Sequence, residues 1–183
     1  MTAPADNMVI FAAFASNPFA GIGVGHMSAP VFADLDGDSD LDLVLGEDYG
    51  TLKAFSNGGG GNWTAFVTNP FASIDVGAFS IPAFADLDGD GDLDLVVGDQ
   101  SGTLQAFSNN DDDTWAAFDT NPFNAIDVGD RAAPAFADLD GDSDLDLVVG
   151  ESYGTLLAWR NNGGGNWTAF ATNPFAAIDV GYY

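Results

Sequence analysis

Every 52 residues the chain returns to nearly the same nine-residue string. It reads DLDGDSDLD at Asp34–Asp42, DLDGDGDLD at Asp86–Asp94 and DLDGDSDLD at Asp138–Asp146, and each copy runs straight into an apolar stretch, LVLG or LVVG. A second marker, Asn-Pro-Phe, starts at Asn17, Asn69, Asn121 and Asn173 with the same period. Aligning residues 30–77 with 134–181 needs no gap and gives 39 identities in 48 positions. A period of this length predicts stacked supersecondary units rather than a domain with one unique core. Copies this alike point to recent duplication or deliberate design. The chain divides into an N-terminal segment over 1–29 and three units over 30–81, 82–133 and 134–183.

The acidic strings are the part of each unit with chemistry in it. Two carboxylates about 4 Å apart repel by roughly 4 kcal/mol at an effective dielectric near 20, and five alternating aspartates in one tight turn multiply that cost. A divalent cation among them removes it. Ca²⁺ accepts six to eight oxygens in flexible geometry, whereas Mg²⁺ holds on to its waters. Soft metals are disfavoured, since the chain has no cysteine and a single histidine. The string is not an EF-hand, which is longer and ends in glutamate between helices. The expected cofactor is therefore Ca²⁺, about three per chain.

Net charge is −25, almost all from aspartate, with Glu47 and Glu151 the only glutamates. Such a surface repels nucleic acid and anionic membranes. With 46% apolar and 13% aromatic residues the chain can still bury a core, and no apolar run is long enough for a membrane helix. Residues 1–8 lack the basic and apolar regions of a signal peptide. The expectation is either an intracellular protein or a piece of a longer secreted one. Calcium loops favour an extracellular or cell-surface setting for the natural parent.

Within a unit, four short strands are predicted, here for the second copy. They are Pro82–Leu87, ending at the acidic loop; Leu93–Gly98, whose continuous apolar run implies burial on both faces; Gly102–Phe107; and Trp115–Asp119, ended by Asn-Pro-Phe. No stretch has a helical period. Four strands in about 50 residues, repeated, is the pattern of propeller blades.

The run from Phe84 through DLDGDGDLDLVVG to Gly98, followed by GTLQAFSNN, resembles the FG-GAP/VCBS repeat, which builds the β-propellers of integrin α subunits and many bacterial surface proteins. The resemblance covers nearly the whole chain. It implies that the loop joins the first two strands of a blade and binds Ca²⁺ through side chains at loop positions one, three, five and nine and a carbonyl at position seven. Carried over, these are Asp34, Asp36, Asp38 and Asp42 with the carbonyl of Asp40; Asp86, Asp88, Asp90 and Asp94 with Asp92; and Asp138, Asp140, Asp142 and Asp146 with Asp144. At position six Gly91 matches the family, while Ser39 and Ser143 depart from it.

The fold class expected is thus all-β, a propeller with three four-stranded blades per chain. Propellers close with four to eight blades. Three alone would leave apolar blade faces in water, so the chain is expected to pair with itself as a homodimer forming a six-bladed ring, a trimer being the alternative. The outer-strand segment occurs four times, at Val9–Phe19, Trp63–Phe71, Trp115–Phe123 and Trp167–Phe175, where three blades need three. Which terminal copy completes a blade stays open.

No nucleophile sits beside a base, and every acidic cluster belongs to a loop, so no enzyme activity is expected. His26 lies in a variable turn, and Lys53, Arg131 and Arg160 read as surface residues. The expected role is a structural or protein-interaction scaffold, with cell adhesion implied by the resemblance. The competing reading is a carbohydrate-binding propeller, because some fungal lectins resemble this fold. Trp63, Trp115 and Trp167 recur with the period, Trp159 replaces Phe55 and Phe107, and aromatic faces can stack on sugars. Packing of these tryptophans in the blade core or at blade edges is the simpler expectation.

Overall fold

A computed structural model of the chain describes residues 16–110 and 114–181. Residues 9–15 of the first outer-strand segment and Asp111–Asp113 of the second polar loop lie outside the described residues. The described residues form twelve strands and no helix. They are β1 (Ala29–Ala33), β2 (Asp42–Gly46), β3 (Leu52–Asn57), β4 (Trp63–Ala65), β5 (Ile81–Ala85), β6 (Asp94–Gly98), β7 (Leu104–Asn110), β8 (Thr114–Ala117), β9 (Ala133–Ala137), β10 (Asp146–Gly150), β11 (Leu156–Asn161) and β12 (Trp167–Ala169). They make three four-stranded antiparallel meanders, β1–β4, β5–β8 and β9–β12. The first strands lie side by side, β1 against β5 and β5 against β9, so the sheets fan out like blades.

Strand number and order match the sequence reading; the ends differ. β5 stops at Ala85, because Asp86 already turns back to accept bonds within the loop. β7 runs on to Asn110, three residues past the expected end at Phe107. It does so because Asp94 Oδ1 accepts the Asn109 N–H and the hairpin continues from Asn109 opposite Trp115 to Asn110 opposite Thr114.

The continuous apolar runs are explained by packing on two sides. In β6, Leu95 and Val97 join Val44, Leu52, Ala54, Phe71 and Ile74 in one cluster, whereas Val96 joins Leu104, Phe123, Ile126, Leu147 and Val149 in the next. Alternate residues of one strand thus serve two seams. Gly46 and Gly98 end their strands where the following blade comes close. A Cβ on Gly98 would stand 2.0 Å from the Ala132 carbonyl oxygen, and one on Gly46 equally close to that of Ser80.

Each seam is closed by the segment after the fourth strand. Asn69, Asn121 and Asn173 each donate from Nδ2 to the carbonyl of Leu52, Leu104 and Leu156 in their own blade, all at 2.7 Å. The phenylalanine two residues on faces the next blade. Phe71 meets Phe84 and Trp115, with ring centroids 6.3 and 5.1 Å away. Phe123 meets Phe136 and Trp167 at 6.4 and 5.2 Å. Phe19, from the N-terminal copy, meets Phe32 and Trp63 at 6.4 and 5.2 Å.

Candidate metal centre

The three acidic loops join the first two strands of each blade, and each is held by its own backbone. Asp34 accepts from Gly37 N–H (2.8 Å) and Ser39 N–H (2.9 Å), and Asp38 accepts from Asp40 N–H (2.8 Å). Asp86 and Asp138 repeat the first pattern with Gly89 and Gly91, and with Gly141 and Ser143. The turn needs a left-handed residue at loop position six, with φ of 74° at Ser39, 100° at Gly91 and 79° at Ser143. Glycine enters that region without strain; the two serines adopt it and still donate to the first aspartate of their loops.

The last aspartate of each loop has a second task. Asp42, Asp94 and Asp146 are fully buried at the start of β2, β6 and β10. Asp42 accepts from Leu35 N–H (3.0 Å) in the loop and Asn57 N–H (2.8 Å) at the end of β3. Asp94 does the same with Leu87 and Asn109, and Asp146 with Leu139 and Asn161. One carboxylate therefore ties the loop, the second strand and the third. Burial pushes the carboxyls of Asp42 and Asp94 above the usual value. Backbone N–H bonds from Asn57 and Leu35, or from Leu87 and Asn109, pull the other way, and the nearby charges of Asp36 and Asp38, or Asp88 and Asp90, add to the rise.

Three carboxylates converge in each loop, with ligand-capable oxygens all within 4.8 Å of one another. They are Asp34, Asp36 and Asp42; Asp86, Asp88 and Asp90; and Asp138, Asp140 and Asp146. Oxygens on opposite sides of a calcium ion stand about 5 Å apart, since each Ca–O bond is about 2.4 Å, so the donor set and its spacing fit a hard divalent ion. Asp38, Asp94 and Asp142 lie outside these groups of three, as do the side chains of Asp40, Asp92 and Asp144. Asp38, Asp90 and Asp142 each accept the N–H two residues on.

The family model for an FG-GAP-like repeat matches residues 34–97 and 86–149, more than half of the chain. The chain belongs to the FG-GAP-like repeat family. Each matched FG-GAP stretch begins at the first aspartate of one loop and ends within the second strand of the next blade. A solved structure of an Agrocybe aegerita lectin, described as recognising non-reducing terminal N-acetylglucosamine, is similar at 25% identity and a TM-score of 0.47. That similarity covers 77% of this chain and 37% of the lectin, so the chain spans little more than a third of the lectin's length. No curated protein sequence matches the chain.

The FG-GAP loops are not equivalent. Arg160, on β11, reaches the third loop, with its Nε 2.8 Å from Asp140 Oδ2 and its guanidinium over the Phe170 ring. Ser56 and Ser108 stand at its place in the other units, so the 52-residue alignment carries the signal although Arg160 reads as a surface residue. Lys53 pairs with Glu47 at 3.7 Å, and Arg131 lies over Phe79. His26 contributes its carbonyl to Asp48 N–H, as Ala78 does to Gln100 and Asp130 to Ser152, which leaves the side chain at that position free to vary. The role of Asn69, Asn121 and Asn173 was hidden in sequence, because each bond spans 17 residues to a backbone atom.

Proposed function

We propose that this FG-GAP-like protein is a calcium-stabilised propeller scaffold, completed by association with a second copy, and that it acts by presenting loops to a partner rather than by catalysis. The observation that carries the calcium reading is the convergence of three carboxylates within 4.8 Å in each of three repeated loops. Ca²⁺ would neutralise each cluster and pin the first strand of a blade to the second, with all-oxygen ligands from Asp34, Asp36, Asp38 and Asp42 and their counterparts, and a carbonyl from Asp40, Asp92 or Asp144. An ion that binds only the folded state stabilises it by mass action. The surface acidity fits a calcium-rich extracellular setting, and the turns at His26–Ala29, Ala78–Ile81 and Asp130–Ala133 are the variable surface on which a partner would be read.

Metal analysis after dialysis against Ca²⁺ tests this directly. Three ions per chain are expected, with two for Asp88→Ala and a clear fall in melting temperature on chelation. An unchanged melting point in excess chelator sinks the structural-calcium reading. Light scattering in millimolar Ca²⁺ should give twice the chain mass of 18.9 kDa. Packing rather than sugar stacking is favoured for the recurring tryptophans, because Trp115 and Trp167 meet Phe71 and Phe123 between blades and Trp63 meets Phe19 of the N-terminal segment. A sugar titration followed by tryptophan fluorescence is expected to give no response.

A further inference from the structure

The two internal seams have two halves, and each end of the chain keeps one half. At the seam between the first two blades, Val44, Leu52 and Ala54 of one meet Leu95 and Val97 of the next, with Phe71, Ile74 and Val76 between them. Among the described residues the N-terminal end shows the receiving half: Leu43 and Leu45, covered by Phe19, Ile22 and Val24. Beside them lies a groove of about 470 Å³, and among the described residues Phe32 is 44% exposed. Among the described residues the C-terminal end shows the donating half. Ile178 and Val180 are 46% and 73% exposed, where Ile74 and Val76 are 3% and 9%. Position 150 keeps the glycine that Gly46 and Gly98 need for close approach, yet among the described residues a Cβ there would meet only the Leu156 and Ala133 side chains.

The geometry points to a specific exchange: the segment Asn173–Gly181 of a second copy takes the groove on the first blade and displaces the Asn17–Gly25 segment of the receiving chain. Both segments cannot occupy it, since Phe19 and Phe175 are equivalent and Phe32 with Trp63 offer one place. The C-terminal copy is the better held. Asn173 keeps its bond to Leu156, Val180 N–H donates to Gly154, and Gly181 N–H donates to Asp179. These are the bonds of the internal copies Asn69, Val76 and Gly77. It is preset on its blade with its apolar side outward. The N-terminal copy has Gly23 where the other copies have Asp75, Asp127 and Asp179, each of which accepts the N–H two residues on. Among the described residues Asn17 is left with its local turn bonds to Phe19 and Ala20. The N-terminal segment is thus a resident cap that a second chain replaces.

This inference deepens the self-association reading and rests on it, and a chain without cysteine allows a clean test. A Cβ on Gly61 would stand 3.8 Å from Pro18 Cβ, and one on Gly165 stands 3.7 Å from Pro122 Cβ across an internal seam, both within disulfide range. Three full-length double variants are oxidised in Ca²⁺. Gly165→Cys with Pro122→Cys is the control and should link within one chain. Gly61→Cys with Pro174→Cys should give a covalent dimer on a non-reducing gel. Gly61→Cys with Pro18→Cys should lock the cap and leave a monomer by light scattering. If the wild-type protein is a dimer and the control links, but the Pro174 pair does not, the exchange is wrong and the self-association reading stands. A wild-type monomer overturns both.

Discussion

Arg160 and Asp140 form an ion pair at 2.8 Å that places a fixed cation at the edge of the third acidic loop. The first two loops have serine there. A guanidinium and a calcium ion compete for the same carboxylate, so the third loop should bind Ca²⁺ most weakly. The Arg160 side chain is 46% exposed, and exposed pairs contribute up to about 1 kcal/mol. Replacement by serine should therefore raise affinity at that loop by about two- to fivefold. Calorimetric titration of Arg160→Ser against the parent checks this; equal affinities would mean that the pair dissolves when calcium arrives.

The seam phenylalanines give a stability contrast. Phe123 is fully buried between the second and third blades, and truncating a buried phenylalanine costs about 3–5 kcal/mol. Phe175 has only half of its seam, so Phe175→Ala should cost under about 1 kcal/mol in dilute protein. At concentrations where chains associate, the same change should abolish the dimer. Urea unfolding at two protein concentrations separates these effects.

Neighbouring aspartates in one loop should behave differently. Asp94→Ala leaves the N–H groups of Leu87 and Asn109 without their acceptor, at about 1–3 kcal/mol each. Asp92→Ala removes an exposed side chain while keeping the carbonyl expected to face the ion, so it should change stability by less than about 0.5 kcal/mol and retain three calcium ions. Unfolding of metal-stripped protein measures the first, and metal analysis the second.

The raised carboxyls of Asp42 and Asp94 set opposite pH responses with and without metal. Their folded values lie above the unfolded value near 3.8, chiefly through burial. In metal-free protein their contribution to stability is full below that value and is lost as pH rises through the raised folded one. Calcium needs both groups ionised, so binding releases protons and weakens in acid. Affinity should fall as pH drops toward the raised values of these groups, while the same groups cost metal-stripped protein no stability on that descent. Indicator titrations and thermal melts over a descending pH series measure the pair.

Much of this was legible in the sequence because the period is local and repeated. The order of strands followed from the apolar runs, and the loops followed from alternating aspartate. What could not be read was long-range bonding. Asn109 and Asn110 look like a loop until Asp94, fifteen residues before Asn109, draws them into β7. Asn69 looks like a companion of a strand-breaking proline until its amide finds Leu52. Arg160 differs visibly from Ser56 and Ser108, yet only folding brings it to Asp140.

The two-sided packing of β6 has a further consequence. Since Leu95 and Val97 belong to one apolar cluster and Val96 to the other, no repeat owns a core, and the cooperative unit is the joint between neighbours. Within a single chain the middle blade has two joints and each outer blade one, so an unassociated chain opens inward from its ends. Adding or removing a whole repeat changes the number of joints and leaves both ends chemically the same. Length is thus a free variable in this architecture, adjustable by duplication without inventing a single new contact.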